Sequence, residues 1–269
     1  MKKTILFLIV SCLIASFSFA GIEWTAKISM TGKAKNLNND MISHVYAQGG
    51  NLKQVFEGVK NESEFFIEGG YWLFKAQENN IYIVSDKKKN YMVVPLDLLL
   101  QATGAMGQLV KIEISEPSVK SEILPGETLL GLPCNHMKII TDYGMKMKIL
   151  FIKQSATIHE EREIWSTSQL KGMKELNQLF LNKNWKTGIA DLDELIQKEI
   201  KQQKEIGFPV KMISRSVNTV KNKSQESTTS MEITKIEYKN FPDSFFEIPA
   251  SYAKQELLGG EKEKKFGIF

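Results

Sequence analysis

Residues 25–34, TAKISMTGKA, alternate without a break. Ala26, Ile28, Met30, Gly32 and Ala34 fall on one side of an extended chain, and Thr25, Lys27, Ser29, Thr31 and Lys33 on the other. A period of two with one apolar and one polar face is what a half-solvated antiparallel strand requires, and no amphipathic helix has it. GMKMKILFIK (144–153) repeats the device, with Met145, Met147, Ile149 and Phe151 on one side and Lys146 and Lys148 on the other. Between the two, GYWLFKAQENNIYIVSDKKKNYMVVPL (70–96) reads as three strands joined by turns at QENN and SDKKKN. Further strands are expected at 109–115, 137–141, 157–165, 208–217 and 231–238. Residues 218–229, NTVKNKSQESTT, are polar and without pattern, and read as a long mobile hairpin loop.

Helical spacing appears in two places. Asp97 caps a short apolar turn, LLLQAT, which Gly104 ends. A larger block at about 168–206 carries Met173, Leu176 and Phe180, then Ile189, Leu192, Leu195, Ile196 and Ile200, with Gly207 as its stop. Each stretch has one apolar stripe, so each lies against something apolar on one side. The order of elements predicts an α+β fold: a strongly curved antiparallel β-sheet with helices against one face.

The first twenty residues have the form of an export signal: Lys2 and Lys3, an apolar core over 5–15, and small residues Ser18 and Ala20 before the expected cut after Ala20. A rival reading places a lipid on Cys12, because Ile9-Val10-Ser11-Cys12 fits a loose lipoprotein-processing pattern, but it leaves a short core and wastes the apolar run beyond. One domain over 21–269 is then expected, in the periplasm and with no membrane span in the mature chain. Loss of Lys2 and Lys3 lowers the formal net charge from +4 to about +2, with Lys scattered among Glu. Nucleic-acid binding concentrates basic residues on one face, so this balance argues against it.

Little in the chain looks like chemistry. There is no Gly-rich phosphate loop, no G-x-S-x-G, no H-E-x-x-H and no paired C-x-x-C, and neither a cofactor nor a metal site is expected. His44, His136 and His159 fall in three separate segments. TIHEERE (157–163) is rich in ligand types, yet on a strand His159, Glu161 and Glu163 share a side with Thr157 and Trp165, the make-up of an exposed sheet face. Cys134 and His136 in LPCNHMKII also project to one side of a strand, which permits a thiolate–imidazolium pair. A buried structural cysteine at a strand start, set by Gly131 and Pro133, is the alternative.

Several strands are apolar on both faces: YWLF, IYIV and YMVV alternate poorly. A curved sheet buried on both faces needs a cover inside and another outside, or a cavity wall fitted to an apolar ligand. On that reading Trp72, Phe74, Met145, Met147, Ile149 and Phe151 line a cavity, and Leu98, Leu99 and Leu100 belong to a lid.

GETLLGLPCNHMKI (126–139), EREIWSTSQL (161–170), GFPVKM (207–212) and EITKIEYKNFPDSFFEIPASY (232–252) together resemble the DUF4412 family of exported bacterial proteins. The positions that carry the resemblance are Gly131, Cys134, Trp165, Phe246, Pro249 and Tyr252. The N-terminal half more loosely resembles the LolA/LolB half-barrel, which carries lipoproteins or lipids under a helical lid. The resemblance implies a half-barrel whose helices pack on the concave face and a non-enzymatic role in holding a hydrophobic or amphiphilic ligand. Two alternatives stand beside it: an envelope interaction module with a self-filled core, and a thiol enzyme built on Cys134.

Overall fold

A computed structural model describes residues 21–32, 38–62, 66–75, 77–78, 80–95, 110–149, 152–170, 190–204 and 207–255. Its strands are β1 (Ile22–Gly32), β2 (Asn39–Gln48), β3 (Asn51–Glu57), β4 (Tyr71–Lys75), β5 (Asn80–Ser85), β6 (Asn90–Pro95), β7 (Val110–Leu129), β8 (Leu132–Ile149) and β9 (Ile152–Thr167). Helix α1 (Ala190–Lys204) follows, then β10 (Phe208–Val220), β11 (Lys223–Tyr238) and the short β12 (Ala253–Gln255). All twelve strands form one sheet in the order β12-β6-β5-β4-β3-β2-β1-β11-β10-β9-β8-β7. Every pairing is antiparallel except β12 on β6.

Two meanders, β1–β6 and β7–β11, are thus fused by the pairing of β1 with β11, from Ile22 opposite Tyr238 to Gly32 opposite Ser227. Strand twist accumulates with strand number, and a sheet this wide curls rather than lying flat. With β12 and β7 at its two edges it stays open, a half-barrel rather than a closed one. Three of its hairpins use two-residue turns with positive φ at both central residues: Gly49-Gly50, Leu130-Gly131 and Lys221-Asn222. That turn matches the right-handed twist of the flanking strands and holds their register.

The third of these hairpins corrects the sequence reading. Residues 218–229 are not a mobile loop, since β10 runs to Val220 and β11 starts at Lys223. Ser and Thr on this ribbon have no apolar face to reveal a period of two, but Thr219 and Ser224 hydrogen-bond across it at 2.9 Å. The segments expected separately at 137–141 and 144–153 prove to be parts of one long strand, β8, which ends at Ile149.

The second half of the expected helical block is α1, with Leu195 buried and Ile196 and Ile200 half-buried. Asp191 and Asp193 in its first turn favour the positive end of the helix dipole. The expected helix at 98–103 and residues 171–188 of the second lie outside the described residues, while Ser168, Gln169 and Leu170 at the expected start of the second are not helical. Glu199 fixes α1 to the sheet: its carboxylate accepts from Arg162 Nη1 at 2.9 Å and from Thr141 Oγ1 at 2.6 Å. Arg162 also bonds Glu160, whose Oε1 accepts from Ser214 Oγ at 2.7 Å. Burial alone lowers the guanidinium's pKa, but Glu199 and Glu160 raise it further, so the charge is kept.

On the opposite face, residues 241–252 cover β3–β6. Phe241 and Phe246 are buried with Tyr71, Leu73 and Val84, while Phe245, Ile248 and Tyr252 pack around them. The Gln48 side chain pairs with this segment as a strand would, donating to Phe241 O at 2.9 Å and accepting from Phe241 N at 2.8 Å. Lys53 Nζ sits 4.1 Å from the centre of the Tyr71 ring and 4.7 Å from that of Phe245. This cover is the outer partner that the two-sided apolar strands YWLF and IYIV called for.

Candidate functional site

One row of side chains crosses seven strands in register. It runs Ile123, Met137, Ile164, Met212, Met231, Ile28 and Met41, from β7 to β2. Alternation puts the row on one face of the sheet, the face on which Thr141 and Arg162 hold α1. Its β8–β9 section is closed: Met137, Ile139 and Ile164 form a buried cluster with Val119 and Met212. Its β2 end is also closed, with Met41, Phe56 and Val59 buried beside Ile28, Met30, Phe66 and Trp72.

Between these clusters a cavity of about 600 Å³ opens along the row. Its apolar lining is Ile28, Met41, Ile42, Met212, Ile213 and Met231. Three lysines (Lys27, Lys60, Lys211) and three acids (Asp40, Glu57, Glu232) also contribute, so the lining has no net sign. Some of these charges are already engaged. Lys60 pairs with Asp40 at 2.9 Å and Ser29 donates to Asp40 at 2.6 Å, two contacts that lower the carboxyl's pKa. Lys211 Nζ lies 4.6 Å from the centre of the Trp165 ring. Unbranched Met side chains repack around varied shapes, and a volume of this size is in the range of small-ligand sites.

The residues named from sequence fall around this cavity rather than on it. Trp72 packs in the Met41 cluster, with its ring centre 5.2 Å from that of Phe56 and 5.4 Å from that of Phe66. Phe74 is buried on the same side of β4. Met145 stands opposite Ile114 and Ala156, about 27 Å along β8 from Met137. Backbone register sets Met147 opposite Gln154 and Ile149 opposite Ile152. Leu98, Leu99, Leu100 and Phe151 lie outside the described residues. The spacing rules missed Ile28, Met41, Met212 and Met231 as a group because each stands on a different strand. Only the pairing of β1 with β11 brings them together.

The Cys134–His136 pair is not assembled for catalysis. Cys134 is buried, its Sγ 3.5 Å from Leu132 O, and burial raises the thiol's pKa. His136 is engaged elsewhere, 3.2 Å from Glu163 and stacked on Trp165 at 4.0 Å between ring centres. That stacking, with Lys211 above, buries Trp165, so it is not part of an exposed face as the alternation implied. The rest of its row is charged and partnered: His159 with Asp142 at 2.6 Å and Glu161 with Lys138 at 2.9 Å. Among the described residues no group of three or more His, Cys, Asp or Glu is placed to hold a metal ion, and no helix is long and apolar enough to cross a membrane.

The molecule is a wide, open antiparallel half-barrel with a helix pinned to one face and an apolar cavity along its central strands. The chain belongs to the DUF4412 family, described as a domain of unknown function, which matches residues 60–252. That match starts well before the motifs at 126–252 and takes in the hairpins of β4–β6. No curated protein matches the chain in sequence. Among solved structures it is similar to the Mycobacterium tuberculosis lipoprotein LppX, at 11% identity and a TM-score of 0.30 over 86% of this chain and 95% of the other. It is also similar to a putative outer membrane lipoprotein-sorting protein domain from Vibrio parahaemolyticus, at 8% identity and a TM-score of 0.22 over 90% and 95%. A DUF1329 family protein from Desulfovibrio piger aligns at 8% identity and a TM-score of 0.20 over 88% and 93%.

Proposed function

We propose that this chain is an exported, non-enzymatic binding protein that holds a lipid, an acyl chain or another amphiphile along the central strands of its half-barrel. The observation that carries the reading is the cavity of about 600 Å³ beside Ile28, Met41, Met212 and Met231. A partly open apolar space of this size, with charged residues around it, suits a small amphiphile. A lining without net sign suits a ligand chosen by its apolar body rather than by headgroup charge. Trp72 and Phe74, in and beside the closed cluster at the β2 end, are the proposed continuation of the wall towards β4, and Met145 is its proposed continuation along β8. Leu98 and Leu99 are assigned to a lid. Export follows from the signal-like first twenty residues, with cleavage after Ala20 and one domain after it.

Native mass spectrometry of gently extracted protein, with titration of an environment-sensitive naphthylamine dye, tests this. Bound amphiphile or saturable dye binding is expected, and Met212→Trp should weaken the dye at least about tenfold by filling the space, with the melting temperature unchanged. Repeated absence of both bound lipid and dye binding would sink the proposal in favour of a self-filled interaction module.

A further inference from the structure

On β10 and β11 the apolar row at Met212 and Met231 is followed, on the same face, by Ser214 opposite Thr229, Ser216 opposite Ser227 and Asn218 opposite Gln225. Within two residues the face changes from thioether and aliphatic to hydroxyl and amide. All of these polar side chains but Gln225 are half-buried. From Ser214 to Asn218 the polar field runs about 14 Å along β10. Its β9 side is walled by the Arg162 network under α1, where Glu160 and Glu199 each already accept from Arg162 and from one hydroxyl. One guanidinium stands there against two carboxylates, a balance that repels an anion.

Asn218 ends the field. Among the buried side-chain nitrogens and oxygens of the described residues, its Oδ1 is the one without a hydrogen-bond partner. A buried carbonyl oxygen left unpaired is destabilising, and nearly all such groups in native proteins are satisfied. Tyr143 stands on the same face two strands away, with Ile158 between. Its phenol is half-buried, and burial followed by the charges of Glu160 and Glu199 raises its pKa, so it keeps its proton for donation. A ligand hydroxyl both donates and accepts, so it meets serine, phenol and amide alike, whereas an ammonium only donates.

We propose that this field binds the headgroup of the amphiphile whose apolar body lies along Ile28, Met41, Met212 and Met231, and that the headgroup is uncharged and rich in hydroxyls, as in a glycolipid. The assignment depends on the carrier role proposed above and adds to it the half of the ligand that the apolar cavity does not select. A hydroxyl of the headgroup supplies the donor that Asn218 Oδ1 lacks, and the Ser216 and Ser227 hydroxyls offer further partners.

Displacement of the naphthylamine dye by amphiphiles sharing a dodecyl chain, each below its micelle threshold, tests this: dodecyl maltoside, dodecyl sulfate and dodecylammonium. The maltoside should displace the dye at a concentration at least about tenfold lower than either ion. Asn218→Leu, which keeps the side chain's length and branching, should abolish most of that preference and leave dye affinity and sulfate displacement unchanged. Its melting temperature should equal or exceed the parent's, because an apolar group replaces a buried acceptor that has no partner. Equal displacement by all the headgroups, a preference for ammonium, an Asn218→Leu variant that keeps the maltoside preference, or one that melts several degrees below the parent overturns the proposal and leaves the carrier role standing. Absence of dye binding overturns both.

Discussion

Arg162 is the most informative residue to remove. Its guanidinium, with a side chain 19% exposed, is shared by Glu160 and Glu199, whose side chains are 23% and 17% exposed. Arg162→Met keeps the packing volume but leaves two half-buried carboxylates facing each other with Thr141 and Ser214 as donors. Breaking a buried ion pair from one side costs about 3–5 kcal/mol, and the partial exposure favours the lower end. At about 3 kcal/mol the melting temperature falls by about 6–12 °C for a domain of this length. The pH dependence carries the sharper signature. In the variant, repulsion and burial raise the folded-state pKa of a carboxyl above its unfolded value near 4.3. A group raised in this way favours the folded state below its unfolded pKa and loses that contribution as pH rises through the folded one. The deficit should therefore be full at neutral pH and shrink as pH falls towards about 5. Thermal melts followed by circular dichroism at pH 7.5 and pH 5 measure both, and hydrogen exchange over 190–204 reports whether α1 is released. A variant that melts within about 2 °C of the parent at neutral pH, or a deficit that does not shrink in acid, would refute the claim that this charge pins the helix.

Two further expectations test the two sides of the sheet and the Cys134 thiol. Phe246→Ala should cost about 3 kcal/mol or more by opening the packed outer cover, whereas Met231→Ala beside the cavity should cost about 1 kcal/mol; chemical denaturation distinguishes them, and equal costs would contradict the contrast drawn between packed and open faces. Cys134 should react with an alkylating reagent at pH 7 at least about a hundredfold more slowly in the folded protein than in denaturant. Fast labelling of the native chain would revive the thiol enzyme.

Strands with one wet face were legible because their side chains alternate: Ala26, Ile28 and Met30 against Lys27 and Ser29 mark β1 without any knowledge of its neighbours. The hairpin at Lys221-Asn222 was not, since both faces of its ribbon are Ser, Thr and charge, and its turn depends on positive φ in residues other than glycine. Phe246, Pro249 and Tyr252 were visible only as positions of a family resemblance, and the work of residues 241–252 in burying Tyr71 and Leu73 is a contact across more than half the chain. The cavity was the least legible feature. Met41, Ile28, Met231 and Met212 are one residue from each of four strands, and no local spacing connects them.

The pairing of β1 with β11 also sets a schedule for assembly. Its partners stand 195 to 216 residues apart, from Gly32 with Ser227 to Ile22 with Tyr238, so the central seam closes only after nearly the whole sheet has been made. Hairpins β1–β6 and β7–β10 can form from neighbours as the chain emerges, yet each then presents a raw edge and only part of the row. A cavity divided between the two meanders is incomplete until they zip together. On the proposed function, ligand capture is therefore tied to completed folding, and a chain stalled before β11 lacks the Met231 side of the cavity.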